Sequence, residues 1–270
     1  MMTSGRAQNS NWNAVGGVVA GAIHLRKDKP CQDALHIQTH KNYTIACVAD
    51  GHGSAACPHS DEGSKAAVKV ASELLASILN KDLEASTMSA HKDIWLPKQI
   101  ETKWKDEVKK IHAIKERELI DPFPYTLYGT TLLALAATES FVFAMQIGDG
   151  DILMVDDTST ARPVLATEEK VGEDTESLCQ DDAWQYVRTQ IIPWNTSTGS
   201  PMFLISTDGY ANSFTGFSGF AKAGADFLGL WQDEGHEYIS QNIEEWLRLS
   251  SDKGSGDDIA IALIGRNHPS

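Results

Sequence analysis

The chain has 270 residues, 41% of them hydrophobic and 8% aromatic, with a formal net charge of −14 and a pI near 5.0. This composition supplies enough apolar side chains for a substantial core, which excludes an intrinsically disordered chain. The acidity argues against unaided binding to nucleic acid or to an acidic membrane surface.

No segment resembles a targeting or membrane-spanning sequence. The N-terminal residues 1–12 do not read as a signal peptide, and no apolar run approaches the roughly 20 residues of a spanning helix. The four cysteines show no paired spacing of a disulfide framework or a zinc site. We therefore expect a cytoplasmic protein with a flexible N-terminus over residues 1–12.

Three strands are predicted near the N-terminus, at Val15–His24, Ala34–Thr39 and Tyr43–Ala49. Short turns between them favour an antiparallel meander. The third strand is an unbroken apolar run, which is typical of a strand buried on both faces. It leads into Asp50-Gly51-His52-Gly53, where a carboxylate and an imidazole stand beside two glycines.

The pattern then changes to helical periodicity. Apolar residues recur at three- or four-residue steps after Ser60 and again from about Pro97, which predicts two amphipathic helices. Strands and helices follow in the order strand 127–137, strand 141–147, strand 152–155, strand 187–192, strand 202–206, helix 217–230, helix 237–249 and strand 259–264. The acidic stretch 167–184 has little periodicity and is predicted to be a surface loop.

This order of elements predicts one α+β domain over residues 1–270. Its architecture would be a four-layer α-β-β-α sandwich, in which two antiparallel sheets pack face to face with helix pairs outside. No internal repeat, low-complexity tract or linker divides the chain.

Aspartates recur where apolar strands meet turns. Any one of them is ordinary turn chemistry, but the set invites a functional interpretation. If the strand ends converge, the carboxylates would repel one another unless cations were present, and Mg²⁺ or Mn²⁺ suits such oxygen ligands. His52 then makes more sense as an acid or base than as a ligand. The aspartates concerned are Asp33, Asp50, Asp149, Asp208 and Asp257.

Five motifs in this order resemble the metal-dependent protein phosphatases of the protein phosphatase 2C type. They are YTIACVADGHGS, YGTTLLALA, MQIGDGDI, LISTDGY and GDDIAIALI. The resemblance implies hydrolysis of phosphoserine and phosphothreonine on proteins by a metal-bridged hydroxide, with two Mn²⁺ or Mg²⁺ ions and a third, weaker one. It also implies that stretch 167–184 corresponds to a variable flap near the site.

The resemblance also implies roles for single residues. Asp50 would bridge the two ions, Gly51 would offer its carbonyl, and Asp208 and Asp257 would complete the site. Asp33 would hold a metal directly or through water, Asp149 would join the third ion together with Asp208, and His52 would protonate the leaving oxygen.

The match is poorest upstream of Asp33. Many members of the family carry Glu-Asp where this chain has Gln32-Asp33, so one ion would be held more weakly or mainly through water. The phosphate-gripping arginine of the family has no direct counterpart. Arg26 is preferred here for its bidentate geometry over Lys27 and Lys29. His24 is either a site residue or a packed histidine.

Two other functions stay open at this point. One is a catalytically weak, phosphatase-like regulatory module that binds a phosphoprotein or a partner kinase. The other is a hydrolase of small phosphoesters, against which stands the absence of a phosphate-binding P-loop motif. For the enzyme, we expect a monomer whose partners are a phosphorylated protein and a cognate Ser/Thr kinase, with no nucleic acid and no membrane.

Overall fold

The computed structural model describes residues 12–115, 117–118, 120–165, 175–194 and 199–266. Two five-stranded antiparallel sheets pack face to face. In spatial order the first sheet consists of β1 (Trp12–Val19), β10 (Ile259–Arg266), β9 (Met202–Ser206), β6 (Asp151–Val155) and β7 (Ala161–Pro163). The second consists of β2 (Ala34–Thr39), β3 (Tyr43–Ala49), β4 (Leu132–Thr138), β5 (Phe141–Ile147) and β8 (Arg188–Pro193).

Helices cover the outer faces of both sheets. They are α1 (Ala22–Arg26), α2 (Ser60–Leu79), α3 (Ala85–His91), α4 (Trp95–Ile114), α5 (Asp208–Ala211), α6 (Gly216–Asp233) and α7 (Gly235–Lys253), with short 3-10 helices at Tyr125–Tyr128 and Ala183–Tyr186. The pair α2 and α4 packs on the second sheet, and the pair α6 and α7 packs on the first. The predicted α+β sandwich with helix pairs outside is confirmed.

Strand β3 explains why an apolar run without alternation forms a strand here. Ile45 and Cys47 point towards the helix layer, whereas Ala46 and Val48 point towards the other sheet. All seven residues of the strand are buried. Burial on both faces removes the need for polar residues at alternate positions.

The predicted meander is confirmed for β2 and β3, which pair antiparallel, and is wrong for the first strand. Strand β1 pairs with β10, at registers such as Val15 with Leu263, and belongs to the other sheet from β2 and β3. The predicted first strand also ends too late, because the chain turns at Gly21 and forms α1. The Gly21 N–H donates to Asp258 Oδ1 at 2.6 Å, which fixes this turn. From there the chain crosses to the second sheet.

Trp12 is fully buried between the sheets, so the expectation of flexibility is wrong at this residue. Its indole packs edge-on against Trp194, with ring centroids 5.6 Å apart, and its Nε1–H donates to the Thr138 carbonyl at 2.7 Å. The rest of the expected flexible segment, residues 1–11, lies outside the described residues. Helix α3 lies between the two helices predicted from the periodicity, in a stretch for which the sequence predicted no element.

None of the helices in the described part of the chain combines the length and the apolar character that a membrane crossing requires.

Candidate active site

A cleft of about 410 Å³ opens at one end of the two sheets. It is where β3, β5 and β9 end and where β10 begins, so residues far apart in sequence meet there. The residues that line it are Ile23, His24, Gln32, Asp50, Gly51, His52, Gly53, Ser54, Asp149, Thr175, Asp208, Ser255, Asp257 and Asp258. Six of the seven residues to which the sequence assigned catalytic or metal-binding roles are in this lining, and the seventh, Asp33, lies behind it.

Asp50 leaves β3 in a backbone conformation fixed by β4. Its N–H donates to Thr131 Oγ1 at 3.0 Å, and its carbonyl accepts from the Thr131 N–H at 2.9 Å and from Thr130 Oγ1 at 2.8 Å. These bonds hold the Asp50 backbone rigidly at the cleft, which suits a residue that must present its carboxylate in one place.

Gly51 is required by the close approach of two backbone segments. A Cβ at this position would lie 2.6 Å from the Ser60 carbonyl oxygen and 2.7 Å from the Gln32 carbonyl oxygen. The Gly51 N–H itself donates to Gln32 at 3.2 Å. Glycine therefore lets the end of β3, the start of α2 and the Gln32 segment meet beneath the cleft.

Asp33 is buried beneath the cleft, where Thr207 Oγ1 donates to its Oδ2 at 2.6 Å. Burial raises the pKa of Asp33 well above its usual range, and this hydrogen bond opposes the rise only in part. Burial also raises the pKa of Asp50, and the nearby charges of Asp33, Asp208 and Asp257 raise it further. The cluster therefore cannot hold all its negative charges at neutral pH without positive charge beside it.

Asp208 and Asp257 approach the cleft from the first sheet. Asp208 is the first residue of α5, and Asn212 Nδ2 donates to its Oδ2 at 3.0 Å one turn later. Asp257 precedes β10, and its Oδ1 accepts the N–H of Asp258 at 2.9 Å. Both carboxylates are thus oriented by short local contacts and remain accessible from the cleft.

Gln32 contributes an oxygen that suits a cation or its water shell. Its Nε2 donates to Ser60 Oγ at 2.6 Å, whereas its Oε1 is buried and has no hydrogen-bond partner in the described chain. A buried polar atom without a hydrogen-bond partner lowers the stability of the fold, unless a ligand or a water binds it. An amide oxygen beside carboxylates is a hard donor of the kind that Mg²⁺ and Mn²⁺ bind.

The donor set therefore fits divalent cations that keep part of their water shell. Among the described residues, no group of three or more Asp, Glu, His or Cys side chains closes around a single point where one ion could sit. Ions of this class commonly take only one or two carboxylates each and complete their shell with waters and carbonyl oxygens. Asp50, Asp208 and Asp257 line one cleft, where carbonyl oxygens and waters would complete the shell.

The raised pKa values predict how pH and metal affect stability. Because the folded state holds protons on Asp33 and Asp50 that the unfolded chain releases near pH 4, the metal-free protein should lose stability as pH rises from about 4. A cation that binds the ionised carboxylates should reverse this loss. We expect 1 mM Mn²⁺ to raise Tm more at pH 7.5 than at pH 5.0 in thermal melts. An equal or larger gain at pH 5.0 would contradict the assignment.

His52 faces the cleft from the turn after Asp50. Its N–H donates to the Gly129 carbonyl at 3.0 Å, and its ring lies against the Gly129 backbone. Burial lowers the pKa of His52 below its ordinary value, and the negative charge of Asp149 partly offsets this. A half-buried imidazole beside a carboxylate can donate a proton to a group in the cleft.

Replacing Gly129 with alanine should displace His52. The added Cβ would stand 2.7 Å from His52 Cδ2 and 3.1 Å from Cys57 Sγ. Since misplacing a catalytic group by about 1 Å can cost about a hundredfold, we expect the phosphoserine hydrolysis that the resemblance implies to fall about 10- to 100-fold while Mn²⁺ affinity changes little. Steady-state kinetics and calorimetric metal titration measure the two effects.

Gly229→Ala is the matched control, because a Cβ there meets nothing within 4 Å. It should leave both the turnover and the metal affinity unchanged. Full phosphoserine turnover in the Gly129→Ala variant would show that the position of His52 does not matter.

Asp149 lies in the turn that carries the chain from β5 to β6, that is, from one sheet to the other. Gly148 adopts a φ of +101° there, which favours glycine. Thr175 Oγ1 donates to Asp149 Oδ2 at 2.8 Å and itself lines the cleft. Residues 167–174 of the predicted flap lie outside the described residues. The described part, residues 175–184, contacts the site through Thr175.

Sequence reasoning gave no site role to Asp258. In the structure its carboxylate holds the segment that leads from β1 to β2. This residue is only 3% exposed and accepts three hydrogen bonds. They come from Gly21 N–H at 2.6 Å, Gln32 N–H at 2.7 Å and His24 Nδ1 at 2.8 Å. Its partners are more than 220 residues away in the sequence, so no local signal could have identified this role.

The structure does not bring Arg26 into the cleft. Arg26 lies at the exposed end of α1 and is not part of the lining, as is also true of Lys27 and Lys29. His24, which precedes it by two residues, lines the cleft and is oriented by Asp258. The reason is the geometry of α1, because residues two apart on a helix point in different directions.

The family model described as Protein phosphatase 2C matches residues 20–248. The chain therefore belongs to the protein phosphatase 2C family of serine/threonine phosphatases. No match was found among curated proteins.

Several solved structures share this fold. A serine/threonine phosphatase of S. agalactiae is 17% identical, with a TM-score of 0.58 over 94% of this chain and 98% of that one. The catalytic domain of PstP, solved in complex with 2 manganese ions, is 13% identical, with a TM-score of 0.60 over 95% and 99%. PppA of Pseudomonas aeruginosa, a regulatory component of T6SS, is 16% identical, with a TM-score of 0.60 over 96% and 98%. At these identities the likeness concerns the fold.

Proposed function

We propose that the protein hydrolyses phosphoserine and phosphothreonine on protein substrates in a reaction that depends on divalent cations. The observation that carries this proposal is the convergence of Asp50, Asp208 and Asp257 with His52 in one cleft. The carboxylates come from three separate strand ends. Burial and the charges of Asp33 and Asp208 raise the pKa of Asp50, and bound cations would oppose this rise. A cleft with acidic walls would otherwise repel a phosphate dianion.

Two cations would be held by Asp50, the Gly51 carbonyl, Asp208 and Asp257, with Asp33 and Gln32 acting directly or through water. Asp149 and Asp208 would hold a third, weaker ion. When bound, such cations supply an activated water nucleophile and neutralise charge on the phosphoryl oxygens. PstP was solved with 2 manganese ions, which supports Mn²⁺ or Mg²⁺ as the cations of this chain.

The chain's own side chains complete the reaction. His52 donates a proton to the serine or threonine oxygen as the phosphorus–oxygen bond breaks, so that an alcohol leaves instead of an alkoxide. His24 faces the same cleft with its Nδ1 bound to Asp258. We therefore assign to His24, instead of Arg26, the contact with the phosphoryl oxygens. The substrate would be a phosphorylated protein, and a Ser/Thr kinase acting on that protein would be the natural opposing partner.

A catalytically weak regulatory module is the second candidate. The uncharged Gln32 and the lack of three closely grouped ligands in the described chain favour it. Such a module would bind a phosphoprotein without turning it over.

Hydrolysis of p-nitrophenyl phosphate and of a phosphothreonine peptide, with Mn²⁺ and with EDTA, separates the two candidates. The enzyme should release phosphate from both substrates with Mn²⁺ and from neither with EDTA. Peptide binding without phosphate release under any metal condition would favour the module.

A further inference from the structure

One loop next to the cleft carries an unusual charge for this protein. It comprises residues 25–31 and is called the basic loop below. His24 before it and Gln32 after it both line the cleft, and both bind the same oxygen, Oδ2 of Asp258, at 2.8 and 2.7 Å. Since Asp258 fixes both ends, the basic loop rises directly from the rim of the cleft.

The basic loop is folded back on His24, the residue that precedes it. The N–H groups of Lys27 and Lys29 both donate to the His24 carbonyl at 3.0 Å, and Asp28 between them adopts a φ of +52°. Residues 25–30 are exposed, including Leu25 at 65%. The turn therefore keeps three cationic side chains near the rim and presents them to solvent.

These cations are available to a partner. Arg26, Lys27 and Lys29 form no ion pair with any of the described residues. Many basic residues elsewhere are paired, for example Arg117 with Glu62 at 2.6 Å and Lys105 with Glu101 at 2.5 Å. In a chain with a net charge of −14, a loop with three cations and a single anion is a local reversal of sign.

We propose that the basic loop recognises acidic residues that flank the phosphorylated serine or threonine of the substrate. This inference rests on the proposed function and names its substrate class. The protein as a whole repels an acidic segment, so such a segment is attracted only where the local charge is positive. With the phosphate in the cleft, the neighbouring residues of an extended peptide, about 3.3 Å apart, pass over the rim.

The expected preference is modest and depends on salt. Exposed charge pairs contribute little each, and three together account for about a tenfold effect on kcat/KM. The screening length is about 10 Å at 0.1 M salt and about 3 Å at 1 M, so high salt should remove the preference.

The experiment uses the Mn²⁺-loaded protein and three substrates. Two are phosphoserine peptides of equal length, one with two Glu on each side of the phosphoserine and one with Gln in those positions. The third is p-nitrophenyl phosphate, which has no flanking residues. The variant is Arg26→Ala/Lys27→Ala/Lys29→Ala. Its control is Lys41→Ala/Lys81→Ala/Lys103→Ala, which removes the same charge from exposed positions outside the cleft lining.

We expect the native protein and the control to prefer the Glu peptide about tenfold at 50 mM NaCl, and to lose the preference at 1 M. The basic-loop variant should turn over both peptides at similar rates and retain native activity on p-nitrophenyl phosphate. Equal rates on both peptides in the native protein, or an equal loss in the control variant, would overturn the inference. If the native protein releases no phosphate from any substrate, the proposed function fails instead.

Discussion

Replacing Asp50 with asparagine should abolish metal-dependent turnover and at the same time make the metal-free protein more stable. The variant keeps the shape of the side chain but removes the charge that would join the two cations. Because such cations would contribute several kcal/mol to phosphoryl transfer, we expect kcat/KM to fall by at least about a thousandfold.

The gain in stability has a separate physical cause. Burial and the charges of Asp33 and Asp208 raise the pKa of Asp50, so ionising it in the folded state at neutral pH is unfavourable. Asparagine removes that cost. At this chain length, Tm in EDTA should rise by about 2–4 °C for each kcal/mol of repulsion relieved.

Thermal melts with EDTA and with Mn²⁺, together with phosphopeptide kinetics, measure both effects. Asp226→Asn is the control, since Asp226 is an exposed acid on α6 that lies outside the cleft lining. It should behave like the native protein in every assay. An Asp50→Asn variant that retained turnover, or that was stabilised by Mn²⁺ as much as the native protein, would remove Asp50 from the metal site.

Replacing His52 with glutamine should slow hydrolysis of a phosphoserine peptide by about 10²- to 10⁴-fold, the range expected for the loss of a general acid. The effect on p-nitrophenyl phosphate should be less than about tenfold. Nitrophenolate is a weak base that leaves without a proton, whereas a serine alkoxide requires one. The contrast between the two substrates therefore isolates proton donation from phosphate binding.

The pH profile offers a second readout for His52. Phosphoserine turnover should decline on the alkaline side as the imidazole loses its proton, and burial lowers the pKa at which this happens. The His52→Gln variant should lack that limb. Asp149→Asn should move the limb to lower pH, because the charge of Asp149 raises the pKa of His52.

His40 provides the control for this substitution. It is an exposed histidine that stacks on Tyr43 at the far end of β3 from Asp50, with ring centroids 4.9 Å apart. His40→Gln should leave both the rates and the pH profile unchanged. Equal losses on both substrates in His52→Gln would indicate a role in binding or structure instead of proton donation.

Much of the fold could be predicted because most of its helices and strands have a recognisable pattern within their own segment. The helical periodicity after Ser60 and from about Pro97 corresponds to α2 and α4. The unbroken apolar run Tyr43–Ala49 is β3, and Met202–Ser206 is β9 with the predicted bounds. The side chains that must be buried are spaced by the geometry of the element itself, so a single segment carries the signal.

Strand pairing was not predictable in the same way. Nothing in residues 12–19 indicates that β1 pairs with β10 at the other end of the chain instead of with β2. Likewise, nothing in the turn after Ile147 indicates that it carries the chain from β5 in one sheet to β6 in the other. Apolar strands buried on both faces resemble one another, so their pattern does not specify a partner.

For the site, the sequence by itself determined which residues are candidates. Aspartates at strand ends and the Asp-Gly-His-Gly turn indicated them, and the cleft contains Asp50, His52, Asp149, Asp208 and Asp257. Only the tertiary structure decided where each group stands. It buried Asp33 behind the cleft, made Asp258 the anchor of His24 and Gln32, and left Arg26 outside. The residue types indicate the chemistry that a site could perform. The depth and direction of each side chain depend on contacts between segments 80 to 237 residues apart, which no local pattern encodes.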